Sequence, residues 1–125
     1  VSETNISLPF IAADATGQAG LAAPTGDCSE VTEYMLAASV DDRLAGSYAY
    51  TTMMAVATSG WLMLKQLRAA EAELVSDSGN AFLKAKVVAC RYYLDVMVPE
   101  AIALKGSAMA GSELLYALDA EGMAA

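Results

Sequence analysis

The fold of this chain is decided by two stretches, YAYTTMMAVATSGWLML at residues 48–64 and AFLKAKVVACRYYLDVMVPEAIALKGSAMAGSELLYAL at residues 81–118. In both, apolar residues recur every three or four positions, and turn-forming residues are rare. This spacing is typical of helices that pack against one another. We therefore predict an all-α protein, folded as an up-down helical bundle.

The first of these stretches belongs to a long helix predicted from about Asp42 to about Val75. The acidic pair at its start complements the helix dipole, and the loop at residues 76–80 ends it and supplies the next N-cap. Apolar residues follow each other in steps of three and four, which predicts the packing stripe Tyr50, Met54, Ala57, Trp61 and Leu64. Three small residues are expected to let a neighbouring helix approach the middle of this helix closely: Thr51, Thr58 and Gly60.

The second stretch carries a longer stripe, which runs without a break through Pro99: Leu83, Val87, Cys90, Leu94, Met97, Ala101, Leu104, Ala108, Gly111, Leu115 and Leu118. A proline inside a helix normally kinks or ends it. No turn-forming residues surround Pro99, however, and a reversal of the chain needs a connection of about 2–8 residues. We therefore favour one helix kinked at Pro99, giving three long helices, over the alternative of two helices in a four-helix bundle.

The remaining N-terminal part is predicted to hold a linker or lead-in segment at residues 1–26 and one short helix. Both early prolines and several glycines lie in the lead-in. Asp27 with Glu30 has the form of a capping box, so the short helix is expected to begin near Asp27 and to end near Ser39 or Val40. The helical-bundle domain is accordingly predicted to span residues 27–125.

The composition excludes several classes of function. The chain carries a net charge of −8, which argues against binding to nucleic acid or to an anionic membrane. No stretch reaches the roughly 18 uninterrupted apolar residues of a membrane span. The chain lacks histidine, so nothing suggests a di-metal centre, a Ser-His or Cys-His nucleophile, or any other catalytic residue. Cys28 and Cys90 are predicted to be reduced and buried, with a disulfide as the alternative.

The candidate contact residues lie on the third segment. Lys84 and Lys86 stand near a helix N-terminus, where positive charge is unfavourable for the helix itself, so an acidic partner surface is one explanation. Arg91 and Tyr93 are candidates for contact with another domain or subunit, although Arg91 also has Asp95 four residues on as a pairing partner. A second apolar face is predicted to pack together: Phe82, Ala85, Ala89, Tyr92 and Val96.

Three segments of the chain resemble a known module: YTTMMAVATSGWLML at residues 50–64, FLKAKVVACRYYLDVMVPEAIAL at residues 82–104 and AGSELLYAL at residues 110–118. They are similar to the Gly-Trp-Leu helix and the Ala-Arg-Phe-Tyr…Leu-Pro helix in the C-terminal helical domain of acyl-CoA dehydrogenases. The resemblance is to the bacterial subgroup related to the methylmercaptopropionyl-CoA enzyme. Tyr92 stands where that pattern usually has phenylalanine.

This resemblance implies a non-catalytic accessory domain of an FAD-dependent, cytoplasmic oxidoreductase of fatty acid metabolism. The parent enzyme would dehydrogenate an acyl-CoA thioester between its α and β carbons, with FAD bound in its core. No position in this chain corresponds to the catalytic glutamate or to the FAD contacts of such enzymes. The implied partners are the dehydrogenase core of the same polypeptide or a neighbouring subunit, and self-association through an uncovered apolar surface is expected.

Two other functions remain open from the residues alone. The chain would act as a stand-alone helical-bundle interaction module if it binds a partner helix in a groove. It would act as a small-ligand-binding bundle if a void opens among Tyr50, Met54, Trp61 and Leu94. Dense packing around those four side chains is what a scaffold predicts instead.

Overall fold

The computed structural model describes residues 19–124, with side chains described from residue 26 onward. Within this part the chain forms helices and no strand, which confirms the all-α prediction. The elements are α1 (Ala19–Ala37), α2 (Val40–Leu74), α3 (Ala81–Tyr92), a π-helical turn (Tyr93–Met97), α4 (Val98–Ile102), α5 (Lys105–Ala108), a 3₁₀ turn (Glu113–Tyr116) and α6 (Ala120–Ala124). Residues 1–18 of the predicted lead-in lie outside the described residues.

The central helix is α2, whose ends agree closely with the predicted Asp42 and Val75. Ser39 is its N-cap, where the side chain accepts a hydrogen bond from the Asp42 backbone N–H at 3.2 Å and donates one to the Asp42 carboxylate at 2.8 Å. Asn80, in the predicted loop, caps α3 by accepting from the Leu83 backbone N–H at 3.1 Å. Local capping chemistry therefore sets both helix starts.

The predicted start of the first helix at Asp27 is wrong. The helix α1 begins at Ala19, so Asp27 and Glu30 lie in its interior, and the predicted boundary between residues 26 and 27 falls within α1. The helix runs through Pro24 and Gly26, two residues of low helix propensity, and Asp27 and Glu30 do not cap it. The two carboxylates instead hold Lys105, whose ammonium group donates to Asp27 at 2.8 Å and to Glu30 at 2.6 Å.

The described helices pack around α2 in two sections. The helix α1 runs back along the first half of α2, and α4 and α5 lie against both of them, while α3 packs along the second half of α2. The larger core cluster therefore joins α1, α2 and α5: Cys28, Val31, Met35, Ala49, Met53, Ala57 and Ala108. A smaller cluster centres on Leu64 and Val98, with Tyr93 and Leu94 packed against it.

The buried face of α2 is lined mostly by small residues, and it differs from the predicted stripe. Its members are Gly46, Ala49, Met53, Ala57, Gly60, Leu64, Leu67 and Ala70. Only Ala57 and Leu64 of the predicted stripe belong to it, because Tyr50, Met54 and Trp61 sit one position round the helix and are half-buried. Of the three small residues predicted to allow a close helix approach, Gly60 is buried, whereas Thr51 and Thr58 are exposed. The helices approach α2 where its side chains are smallest, rather than where they are largest.

The third segment stays helical through Pro99, so the chain does not reverse there and three long helices result. The residues on both sides of the π-helical turn have helical dihedral angles, and the Val98 backbone N–H bonds the carbonyl of Tyr93, five residues back. This wider turn shifts the helical phase by one position. Val98 is therefore fully buried, and Met97, which the predicted stripe placed in the core, is 38% exposed.

The predicted stripe also fails beyond Gly111, where Leu115 and Leu118 are exposed. Gly111 adopts a positive φ of 74°, which suits glycine and turns the chain after α5. The turn brings Ser112 to the start of α2, where its backbone N–H and its hydroxyl both donate to one oxygen of Asp42, at 2.8 and 2.7 Å. These hydrogen bonds, with those from Ser39, lower the pKa of the Asp42 carboxyl.

We predict that Gly46→Ala destabilises the chain by about 1–3 kcal/mol, although alanine favours helix over glycine by about 1 kcal/mol. A Cβ at this position would collide with the Ala108 carbonyl oxygen and lie 2.6 Å from the Met35 terminal methyl. Gly106→Ala is the matched control, because nothing lies within 4 Å of a Cβ there. Urea unfolding measures both free energies, and equal effects of the two substitutions would rule out this close approach.

We also predict that acid weakens the tie between Asp42 and Ser112. A carboxyl whose pKa is lowered on folding stabilises the folded state above its ordinary pKa of 3.8, and this contribution is lost as the pH falls through the folded-state value. Ser112→Ala removes the largest cause of the shift, so the variant should lose less stability than the parent chain between pH 5 and about pH 2. Thermal unfolding across this range measures the difference, with Ser107→Ala as control. Parallel curves for parent and Ser112→Ala would refute the assignment.

Candidate interaction surface

The outward side of the third segment is an exposed apolar surface, which we call the α3 outer face. It consists of Phe82, Ala85, Val88, Ala89, Tyr92 and Val96, all of them exposed. Phe82 is 71% exposed and Tyr92 60%, so the prediction that this face packs within the domain is wrong. The reason is that α2 takes the opposite side of α3, at Leu83 and Cys90, and no other described helix reaches the outward side.

A second exposed surface, the α2 outer face, lies opposite the buried face of the central helix. Its members are Val40, Leu44, Tyr48, Thr51, Ala55, Thr58 and Leu62. Tyr48 is 81% exposed and Leu44 67%. Sequence reasoning missed this face, because the apolar stripe was assigned to one side of α2 only. The sequence feature that could have predicted this face is the absence of charged residues between Arg43 and Lys65 on any side of the helix.

The four predicted contact residues do not form one cluster. Lys84 is exposed and Lys86 half-buried in the first part of α3, and Arg91 is exposed in its last turn. Tyr93 points inward instead, since it packs against the cluster of Leu64 and Val98. The role of these residues in contacts with another domain or subunit stays a prediction.

Arg91 pairs with a different carboxylate from the one predicted. Its guanidinium donates to Glu71 on α2 at 2.6 Å, and this bond is the main reason that its pKa is raised. Asp95 contributes only a weaker charge interaction to that shift. Arg91 therefore ties α3 to the end of α2, and both partners are exposed enough to be screened by solvent.

The cavity that the described residues enclose beside Cys28 leaves little room for a ligand. A cavity of about 10 Å³, room for about one water molecule, lies between α1, α2 and α4 beside Cys28, Met53 and Val98. Ligand pockets are usually about 300 Å³ or more. The four residues that would surround a void in a ligand-binding bundle do not line this cavity. Of these, Tyr50 shares a hydrogen bond of 2.8 Å with Thr32, and Leu94 packs into the smaller cluster.

Both cysteines are free and buried, as predicted. Burial, with the nearby charge of Asp27, raises the pKa of the Cys28 thiol, which keeps it protonated and unreactive. In the described part of the chain, no three acidic or cysteine side chains come together as metal ligands. Likewise, no helix among residues 19–124 is both long and apolar enough to cross a membrane.

One comparison with known proteins identifies a relationship. The family model described as "Acetyl-CoA dehydrogenase C-terminal like" matches residues 10–119, most of the chain. No curated protein and no solved structure gives a significant match. The matched range includes α1 to α5 and both outer faces.

Proposed function

This chain belongs to the family of acetyl-CoA dehydrogenase C-terminal-like domains, and on that premise we propose that it is a non-catalytic accessory domain of an FAD-dependent acyl-CoA dehydrogenase. Its role in the proposal is to pack against the catalytic core or a neighbouring subunit. FAD and the acyl-CoA thioester would both bind in the core, and none of the residues of this chain is assigned to them. The subgroup related to the methylmercaptopropionyl-CoA enzyme and a cytoplasmic location are parts of the same proposal.

The observation that carries this function is the α2 outer face. A long helical stretch without charge, as between Arg43 and Lys65, is normally covered on every side, because an exposed apolar face of this length favours association. Here α1, α3, α4 and α5 cover one side of α2, and the other side remains exposed at Leu44, Tyr48 and Leu62. A larger body of protein against this face would complete the burial of the helix.

The polar contacts support a structural role. Lys105 joins α5 to α1, Asp42 joins the Gly111 turn to α2, and Arg91 joins α3 to α2. Each of these side chains therefore serves to hold one helix against another. Such use of charged groups is expected of a scaffold, whereas an active site directs polar groups towards a shared pocket.

The stand-alone interaction module remains the competing function, and the native protein distinguishes the two. An antibody to this domain should detect a band several times larger than 13.0 kDa in an extract of the source cells. The corresponding protein should purify with the absorbance of flavin. A colourless native protein of the mass of this chain would refute the accessory-domain proposal and favour the stand-alone module.

We predict that Tyr48→Arg weakens the attachment of the domain to the dehydrogenase core without unfolding the domain. Tyr48 is 81% exposed, so the substitution should change the stability of this chain alone by no more than about 0.5 kcal/mol. In the full-length enzyme it would place a charge in a buried contact, which costs several times more. Limited proteolysis should then release the domain faster than in the parent enzyme.

The control for this experiment is Val75→Arg, at an 87% exposed position at the end of α2 and outside both outer faces. It should leave the cleavage rate unchanged. Equal cleavage rates for parent, Tyr48→Arg and Val75→Arg enzymes would show that the α2 outer face does not hold the core.

A further inference from the structure

We propose that the α3 outer face is a homotypic contact, at which the third segments of two copies of this chain lie antiparallel about a two-fold axis near Ala89. This inference rests on the proposed function, because it identifies the partner as the neighbouring subunit's copy of the same domain. The face is a stripe that runs along α3 from Phe82 to Tyr92, about 15 Å at 1.5 Å per residue, and continues to Val96 in the π-helical turn.

The apolar residues of the stripe are complementary in size to their own two-fold image. In an antiparallel pair centred between Val88 and Ala89, Val88 of each copy contacts Ala89 of the other. Ala85 of one copy then lies opposite Tyr92 of the other, so the smallest side chain of the stripe faces its largest neighbour. Phe82 lies opposite Val96. A large residue thus meets a smaller one at every level, as close packing requires.

The charges at the edge of the stripe are complementary in the same register. Lys84 and Arg91 lie on one edge of α3, because they are seven residues apart. Asp95, in the π-helical turn that follows, is near enough to Arg91 to interact with its charge. Two-fold symmetry brings this edge of one copy beside the same edge of the other and places Lys84 next to Asp95, twice per dimer. In the described part of the chain, neither Lys84 nor Asp95 is held in a close ion pair, and Asp95 has only a weaker charge interaction with Arg91.

The net charge of the molecule favours this place for self-contact. Two copies that each carry a charge of −8 repel one another over most of their surfaces. Residues 81–96 depart from this balance, because they hold Lys84, Lys86 and Arg91 against one acidic residue, Asp95. A second copy therefore supplies both the apolar face and the opposite charges, at a part of the surface where repulsion is weaker.

Charge reversal tests the register. In sedimentation equilibrium at about 50 mM salt, the chain should form a dimer of twice 13.0 kDa. Lys84→Glu should raise the dimer Kd at least about ten-fold by opposing two acidic groups, and Asp95→Lys should do the same with two basic ones. The double variant Lys84→Glu/Asp95→Lys should return the Kd to within about three-fold of the parent value.

Lys84→Glu also separates assembly from folding. Acidic charge in the first turns of a helix favours the helix, so this variant should unfold at a temperature at least as high as the parent chain at low concentration, where both are monomeric. Weaker dimerisation would then not result from a damaged fold. If the double variant dimerises no better than either single variant, the proposed register is overturned.

The apolar centre is tested by Val88→Arg, with Val75→Arg as the matched control. Val88 is 68% exposed in the single chain, so arginine is tolerated there until a second copy covers the position. Val88→Arg should make the chain monomeric at 100 µM, while Val75→Arg should dimerise like the parent. A parent chain that stays monomeric up to about 1 mM, or a dimer unaffected by Val88→Arg, overturns the proposal.

Cysteine cross-linking tests the direction of the helices. Ala89→Cys lies next to its two-fold mate and should give a disulfide-linked dimer under mild oxidation. Ala85→Cys lies about 10 Å from its mate along the axis and should not. Efficient cross-linking of both overturns the antiparallel arrangement. If the dimer does not form, the proposed attachment to the core is unaffected, because Tyr48→Arg in the full-length enzyme tests that attachment independently.

Discussion

The fold depends on the close approach of neighbouring helices to the small residues of α2. Gly46, Ala49, Ala57, Gly60 and Ala70 are all buried, and at Gly46 the Ala108 backbone comes so near that no side chain fits. Close approach adds dispersion contacts with the neighbouring backbone, which compensate for the small apolar area of alanine and glycine side chains. At Gly46 it determines how near α5 lies to α2.

The same constraint explains why two apolar faces stay uncovered. The helices α1, α4 and α5 lie on one side of α2, and α3 lies along its second half, where Val98 of α4 also packs against Leu64. Larger side chains are left on the outside, among them Tyr48, Phe82 and Tyr92. In most monomeric domains the large apolar residues fill the core and the small ones mark close contacts. This chain buries its small residues and exposes several large ones, a distribution that suits a domain with partners on its outside.

Much of the fold was predictable from the sequence, and the failures have identifiable causes. The bounds of α2, the Asn80 cap and the continuity through Pro99 follow from local chemistry, since capping residues and the absence of turn formers act over a few positions. The π-helical turn was not predictable, because positions 97 and 98 both hold apolar residues and either could face the core. The wider turn places Val98 in the core and leaves Met97 exposed. The start of α1 was mistaken because Asp27 and Glu30 serve a distant lysine, Lys105, rather than the helix end.

The candidate surface illustrates a more general limit. Periodicity shows which residues share a face of a helix, and it grouped Phe82, Tyr92 and Val96 correctly. It does not show whether that face meets another part of the same chain, because burial depends on which helix lies opposite.

The two outer faces differ in a way that bears on their partners. The α2 outer face has no charge along its length between Arg43 and Lys65, so it fits many apolar surfaces in many registers, and only a covalent connection or a large contact area would make its partner specific. The α3 outer face is bordered by Lys84, Arg91 and Asp95, and edge charges select both partner and register at a modest cost in affinity. A partner held in the same polypeptide suits the first face, because its effective concentration is high without any selectivity. A partner that must be chosen from solution suits the second. The division of charge between the faces therefore supports attachment through α2 and recognition through α3.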